Sequence, residues 1–206
     1  MTSFTLSKGR FEAFTDGVFA IAITLLVLEF RLPSFTVAPT EAQQAHALID
    51  IWPQYLVYVA SFATIGIMWL NHHAQFRYIE KITYGIAMAN LFLLSLICFL
   101  PFATEVLARF GVTRTAAVYY GLTLFAISIG YTAVQRQVLA AYPNLPQRFT
   151  PWNFVGLLLY PAAAVLAYFL PFGGMVAYVL LALFYMMPQN VSRAALRPDM
   201  PPDVRH

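Results

Sequence analysis

The chain has 206 residues, 60% of them hydrophobic and 10% charged, with a formal net charge of +3 and a mean hydropathy of +0.68. Soluble domains carry about 25% charged residues and 45–50% apolar ones, so a chain this apolar cannot cover a water-facing surface and lipid must be its solvent. The balance leaves no length for a separate soluble domain and predicts an all-α polytopic membrane domain over residues 1–192, followed by a Pro-rich, disordered cytoplasmic tail over 193–206.

Charge-free intervals mark the spans, because a charge near mid-bilayer costs about 2.5–3.5 kcal/mol on the insertion scale. The first segment is the exception. Its charge-free stretch, Gly17 to Leu28, is 12 residues, too short to cross about 30 Å of hydrocarbon. Helical pattern nevertheless extends from about Arg10 to Leu32, where Pro33 stops it. Such a span requires Asp16 or Glu29 to sit near an interface or to be paired inside the protein, and polar groups so placed are functional-site candidates. The 33–52 segment is the longest loop and has room for a short helix. Uncharged intervals of 26 residues (51–76), 23 (82–104) and 21 (115–135) each predict one helix. The 44 residues from 149 to 192 suffice for two, divided by the turn residues Pro171-Phe172-Gly173-Gly174.

Six spans return both termini to one side. That side collects nine of the 12 Lys and Arg residues, leaving Arg31, Arg109 and Arg114 on the other. The positive-inside rule then places both termini in the cytoplasm of a multi-pass cell (inner or plasma) membrane protein. This placement also accounts for the positive charge, so nucleic acid is not an expected partner. Cys98 is the sole cysteine, which rules out an intrachain disulfide. A cleavable signal peptide is not expected, since Arg10, Glu12 and Asp16 precede the first apolar run and no small-residue cleavage site follows it.

On a helical wheel Ile21, Leu25 and Leu28 fall within an arc of about 60°, with Gly17 and Phe14 on the same face one and two turns earlier. Beside them run Ala13, Gly17, Ala20 and Thr24, a small-residue stripe of the kind that lets membrane helices approach closely. In a symmetric oligomer that pairing suits a pore-lining helix, and periodicity alone fits ordinary core packing as well. A lone guanidinium or carboxylate at the membrane edge needs a partner. For Arg10 and Asp16 the candidates at matching depth are Trp69, His72 and Asn90, and an indole N–H and an imidazole can both satisfy Asp16. Glu29 near the other end either concentrates cations at a pore mouth or pairs with Arg31.

The run Arg10-Phe11-Glu12-Ala13-Phe14-Thr15-Asp16, leading directly into Gly17-Val18-Phe19-Ala20-Ile21, resembles the Arg-x-x-x-Phe-Ser-Asp signature that opens the first helix of the transmembrane protein 175 family of potassium channels. The likeness continues with Trp69-Leu70-Asn71-His72 and with Asn90 and Pro101-Phe102, and departs at Thr15, where the signature has serine. The resemblance implies six spans per subunit, a homotetramer in the lipid bilayer, and a pore lined by the first helix without a carbonyl filter loop. The filter motif Thr-Val-Gly-Tyr-Gly is absent from the sequence. By position, Ile21 matches the family's hydrophobic constriction, with Leu25 and Leu28 as the next rings. Thr24 matches the hydroxyl layer implicated in preferring potassium. Arg10, Phe14, Asp16, Trp69, His72 and Asn90 match the structural network around the pore helices. The implied function is a weakly selective potassium channel, with potassium as permeant and no cofactor.

Other classes fit less well. His72 and His73 point about 100° apart on a helix and lack a third ligand at suitable spacing, which argues against a metal site. No nucleophile–base set is visible, which argues against an enzyme. A secondary transporter, or a proton path using Asp16 and His72, is the alternative reading. Against a transporter stands the lack of repeats and of broken helices, since only Pro161 interrupts a span interior.

Overall fold

The computed structural model describes residues 7–77, 79–143 and 152–186, without the side chains of residues 152–154 and 186. Among them are eight α-helices and one 3-10 turn: α1 (Lys8–Leu25), the turn (Leu26–Glu29), α2 (Glu41–Asp50), α3 (Trp52–Phe76), α4 (Tyr84–Ile97), α5 (Leu100–Phe110), α6 (Arg114–Ala141), α7 (Trp152–Phe169) and α8 (Pro171–Met186). Four segments are long and apolar enough to cross a membrane: Lys8–Glu29, Trp52–Phe76, Tyr84–Phe110 and Arg114–Ala141. Two shorter apolar helices follow, Val155–Phe169 and Pro171–Tyr185. The tail over 193–206 lies outside the described residues.

Local chemistry sets most boundaries. Thr83 and Thr113 cap α4 and α6, each hydroxyl accepting the amide three residues on, from Ile86 at 3.3 Å and Ala116 at 3.4 Å. In the long loop Thr40 and Gln43 form a reciprocal capping box that starts α2. Proline stands in the first turn of α3 and of α5, where its missing N–H costs nothing. Gly111, with φ of +67°, ends α5 in the left-handed half of the map, where a side chain would be strained.

Two expectations are corrected. The first helix does not run regularly to Leu32: its α-helical part ends at Leu25 and tightens into a 3-10 turn before Phe30 becomes extended. The interval 82–104 does not form one helix either. It breaks at Cys98–Phe99, and α5 starts afresh around Pro101, which cannot continue the hydrogen-bond ladder of α4. The divide expected at Pro171 is where α7 gives way to α8.

Helix α6 is the spine of the bundle, packing against α4, α5, α7 and α8. Its Gly121 lies under the phenol of Tyr178, whose oxygen would sit 1.9 Å from any Cβ placed there. Gly174 plays the same part where α8 crosses α7: a Cβ would come within 2.2 Å of the Ala167 Cβ. Helix α1 lies to one side of the bundle, held by α3, α4 and α5.

Candidate functional site: the two faces of the first helix

Helix α1 buries Phe11, Thr15, Phe19 and Ala22, and Leu26 follows in the 3-10 turn. The steps of four, four, three and four residues trace one helical face. This face joins the common core with Ile65, Met68 and Phe76 of α3 and Leu93 and Leu94 of α4. Among the described residues the opposite face has no packing partner. Phe14 is 55% exposed, Ile21 60%, Leu25 40% and Leu28 65%. Ala13, Gly17, Ala20 and Thr24, the small-residue stripe, are exposed as well. The Thr24 hydroxyl turns back along its own helix and donates to the Ile21 carbonyl at 2.9 Å, so its oxygen faces outward as an acceptor.

The fastening at the end nearer the chain's start is polar and shared among three helices. The Trp69 indole N–H donates to Asp16 Oδ1 at 2.8 Å, joining α3 to α1. The His72 Nε2–H donates to Asn90 Oδ1 at 2.7 Å, and the same amide donates through Nδ2 to Thr15 Oγ1 at 2.9 Å. His72, Asn90 and Thr15 are all nearly inaccessible, so each bond replaces water that cannot reach it. Aromatic rings enclose the imidazole: Phe76 stacks on His72 with centroids 4.3 Å apart, and Phe19 lies 5.8 Å away. His73 stacks on the outer side of Trp69 at 5.9 Å.

Of the residues expected to meet here, Asp16 and Trp69 do so directly, and His72 and Asn90 meet each other beside Thr15, the residue before Asp16. The imidazole does not satisfy Asp16; Trp69 alone of the two candidates does. Thr15, noted in the sequence only as a departure from serine, is the hydroxyl that receives Asn90. Arg10 is exposed and bonds to none of these side chains. Nearby, Lys8 pairs with Glu12 at 3.7 Å and donates to the Arg77 carbonyl at 3.3 Å.

A second fastening at the far end escaped the sequence reading. Arg31 does not pair with Glu29; its Nη2 meets Glu105 Oε1 of α5 at 3.1 Å. Glu105 also receives Arg109 Nη2 at 3.1 Å. The backbone of Arg31 is held by the Gln54 side chain of α3, which accepts from its N–H at 2.9 Å and donates to its carbonyl at 3.2 Å. The available signal was Glu105 itself, an isolated acid closing an apolar run four residues before Arg109, the spacing of a helical ion pair.

Fold and site together define an α-helical membrane protein whose first helix is tied down along one face and bare along the other. The chain belongs to the TMEM175 family. The family model described as "Endosomal/lysosomal potassium channel TMEM175" matches residues 10–101. A potassium channel of a Chryseobacterium species is 30% identical over 199 residues, covering 93% of this chain and 99% of that one. The crystal structure of a lysosomal potassium-selective channel TMEM175 homolog from Chamaesiphon minutus superposes with a TM-score of 0.78 at 33% identity, covering 89% of this chain and 98% of that one. The rat endosomal/lysosomal proton channel TMEM175 is 33% identical over 183 residues, 79% of this chain but 36% of its own length. The family is one of ion channels, not of enzymes.

Proposed function

We propose that the chain is a potassium-selective, weakly discriminating cation channel in which α1 of each subunit lines a central pore. The observation that carries this reading is the division of α1 into a buried, hydrogen-bonded face and an opposite apolar face, Phe14, Ile21, Leu25 and Leu28, that none of the other described residues covers. The choice of potassium is supported by the names of the bacterial relatives, three of which are called potassium channels, and by the solved homolog described as potassium-selective. The assembly is a homotetramer in the cell membrane with both termini cytoplasmic. The six spans are the four long segments together with α7 and α8, whose 18 and 16 residues rise about 27 and 24 Å, near the hydrocarbon thickness of about 30 Å.

Ile21 forms the constriction, and Leu25 and Leu28 form the next rings. A ring of such side chains closes a pore by dewetting, since an unhydrated cation is strongly disfavoured between hydrocarbon walls. Thr24 stands between the rings with its proton engaged by the Ile21 carbonyl, so it offers an oxygen lone pair to a passing cation. That is the polarity a hydroxyl selectivity layer needs. Asp16, Trp69, His72 and Asn90 hold the helix and are not ion ligands, and no cofactor takes part.

The test is potassium flux into liposomes that contain the purified protein, beside sodium-only liposomes and the Ile21→Asn variant. Fast potassium flux, smaller in sodium and raised by the variant, is expected. Absence of flux from folded protein in every condition would overturn the channel reading.

A further inference from the structure

We propose that Arg31 is a positioning residue for the pore: it pins the outer end of the pore-lining helix to its own subunit and so holds the conducting state open. The proposal rests on α1 lining the pore. Its physical basis is the double attachment of one residue. Through its backbone Arg31 is paired with the Gln54 carboxamide, in the manner of a short ladder, at 2.9 and 3.2 Å. Through its guanidinium it reaches Glu105 at 3.1 Å. The two partners belong to α3 and α5, so the chain leaving α1 is tied to two helices at once.

What lies immediately before Arg31 makes this attachment consequential. The helix changes pitch at Leu26–Glu29, where the 3-10 turn leaves fewer and poorer backbone hydrogen bonds to resist bending. Within that stretch Leu26 is buried and anchored, whereas Val27 and Leu28 are more than half exposed. Copies of Leu25 and Leu28 facing one another around an axis gain by burying each other, which draws the outer end inward and narrows the pore. Arg31 opposes that pull by holding the end of the turn against α3 and α5. The middle of α1 is already fixed by Trp69 on Asp16 and Asn90 on Thr15, so the stretch from there to Arg31 is where the helix can yield. Opening therefore moves the first helix together with α3–α5, and the helix does not rotate alone.

Arg109 provides an internal control. It binds the same Glu105 oxygen at the same 3.1 Å and is exposed to the same degree, but both ends of that bond lie on α5. Removing either arginine deletes one positive charge at one depth, and only Arg31 connects to α1.

The test is single-channel recording in planar bilayers of Arg31→Gln, Gln54→Leu and Arg109→Gln, with folding checked by size-exclusion profile. Arg31→Gln and Gln54→Leu are expected to lower open probability roughly two- to fivefold, the range an exposed charged contact supports. Unitary conductance and reversal potential should stay as in the parent, and Arg109→Gln should behave as the parent. Equal effects of Arg31→Gln and Arg109→Gln would make the role electrostatic and overturn the proposal, as would no effect of Arg31→Gln. If Ile21→Asn raises flux while the Arg31 variants do nothing, the pin alone fails. If Ile21→Asn does nothing either, the pore-lining reading fails with it.

Discussion

Trp69 donates its indole proton to Asp16 across 2.8 Å, and with that bond an acid that would be costly at a membrane edge becomes the point where α3 grips α1. Replacing Trp69 by Phe keeps an aromatic ring and removes the donor. Because the acceptor is charged and the site is partly open to water, the expected loss is about 1–2 kcal/mol. It is read as a lower unfolding midpoint in detergent, with a smaller drop in the double variant that also carries Asp16→Asn.

The inner chain of bonds, His72 to Asn90 to Thr15, is fully buried, so breaking it in the middle should cost more than breaking it at one end. Asn90→Leu leaves an imidazole and a hydroxyl without partners and is expected to destabilise by about 2–4 kcal/mol. Thr15→Ser keeps the hydroxyl and loses one buried methyl, at an expected cost of about 0.5–1.5 kcal/mol. Thermal unfolding of both variants side by side checks the pair. A Thr15→Ser protein as unstable as Asn90→Leu would mean that the methyl, not the hydroxyl, matters there.

Thr24→Ala removes an oxygen from the exposed face of α1 without altering any contact to another helix. The expected outcome is a normal amount of folded protein whose potassium-over-sodium preference falls, measured as a reversal-potential shift toward zero under bi-ionic conditions. An unchanged reversal potential would take Thr24 out of the permeation path.

Gly174→Ala inserts a methyl where only 2.2 Å separate the new carbon from Ala167 Cβ. Helices α7 and α8 must then part, at an expected cost of about 1–3 kcal/mol. Its companion Ala167→Gly should recover part of that loss. Protease accessibility of the α7–α8 pair and the unfolding midpoint report the effect, and flux through the folded fraction should be retained because α1 is held chiefly by α3, α4 and α5.

Much of this was legible in the charge pattern. The interval between Asp50 and Arg77 places α3 within a residue or two of its ends, because a charge inside it would be costly, and the one after Arg114 places the start of α6, which then runs past Arg136 to Ala141. The Pro-Phe-Gly-Gly run placed the α7–α8 divide. Matching depth and donor chemistry offered Trp69 and His72 alike as partners of Asp16, and Trp69 takes that place. The break at Cys98–Phe99 was not legible, since apolar residues continue on both sides and Pro101 is as acceptable in a first turn as it is disruptive in an interior. Nor could spacing reveal that Asn90, and not Asp16, takes the imidazole. That choice depends on how far α4 is turned about its own axis, which packing of Leu93 and Leu94 decides. Arg31 was read against its neighbour Glu29 because sequence proximity is visible, while the 74-residue separation from Glu105 is not.

The residues that fasten α1 are synthesised after it, in the order Gln54, Trp69, Asn90 and Glu105. A nascent chain therefore completes its first helix before any of the residues that hold that helix in register has been made. Final seating waits until α5 has left the ribosome, so a chain interrupted before Glu105 would leave an inserted helix with one loose end. The middle turn of α5, which carries Glu105, is thus the last piece that the seating of α1 requires.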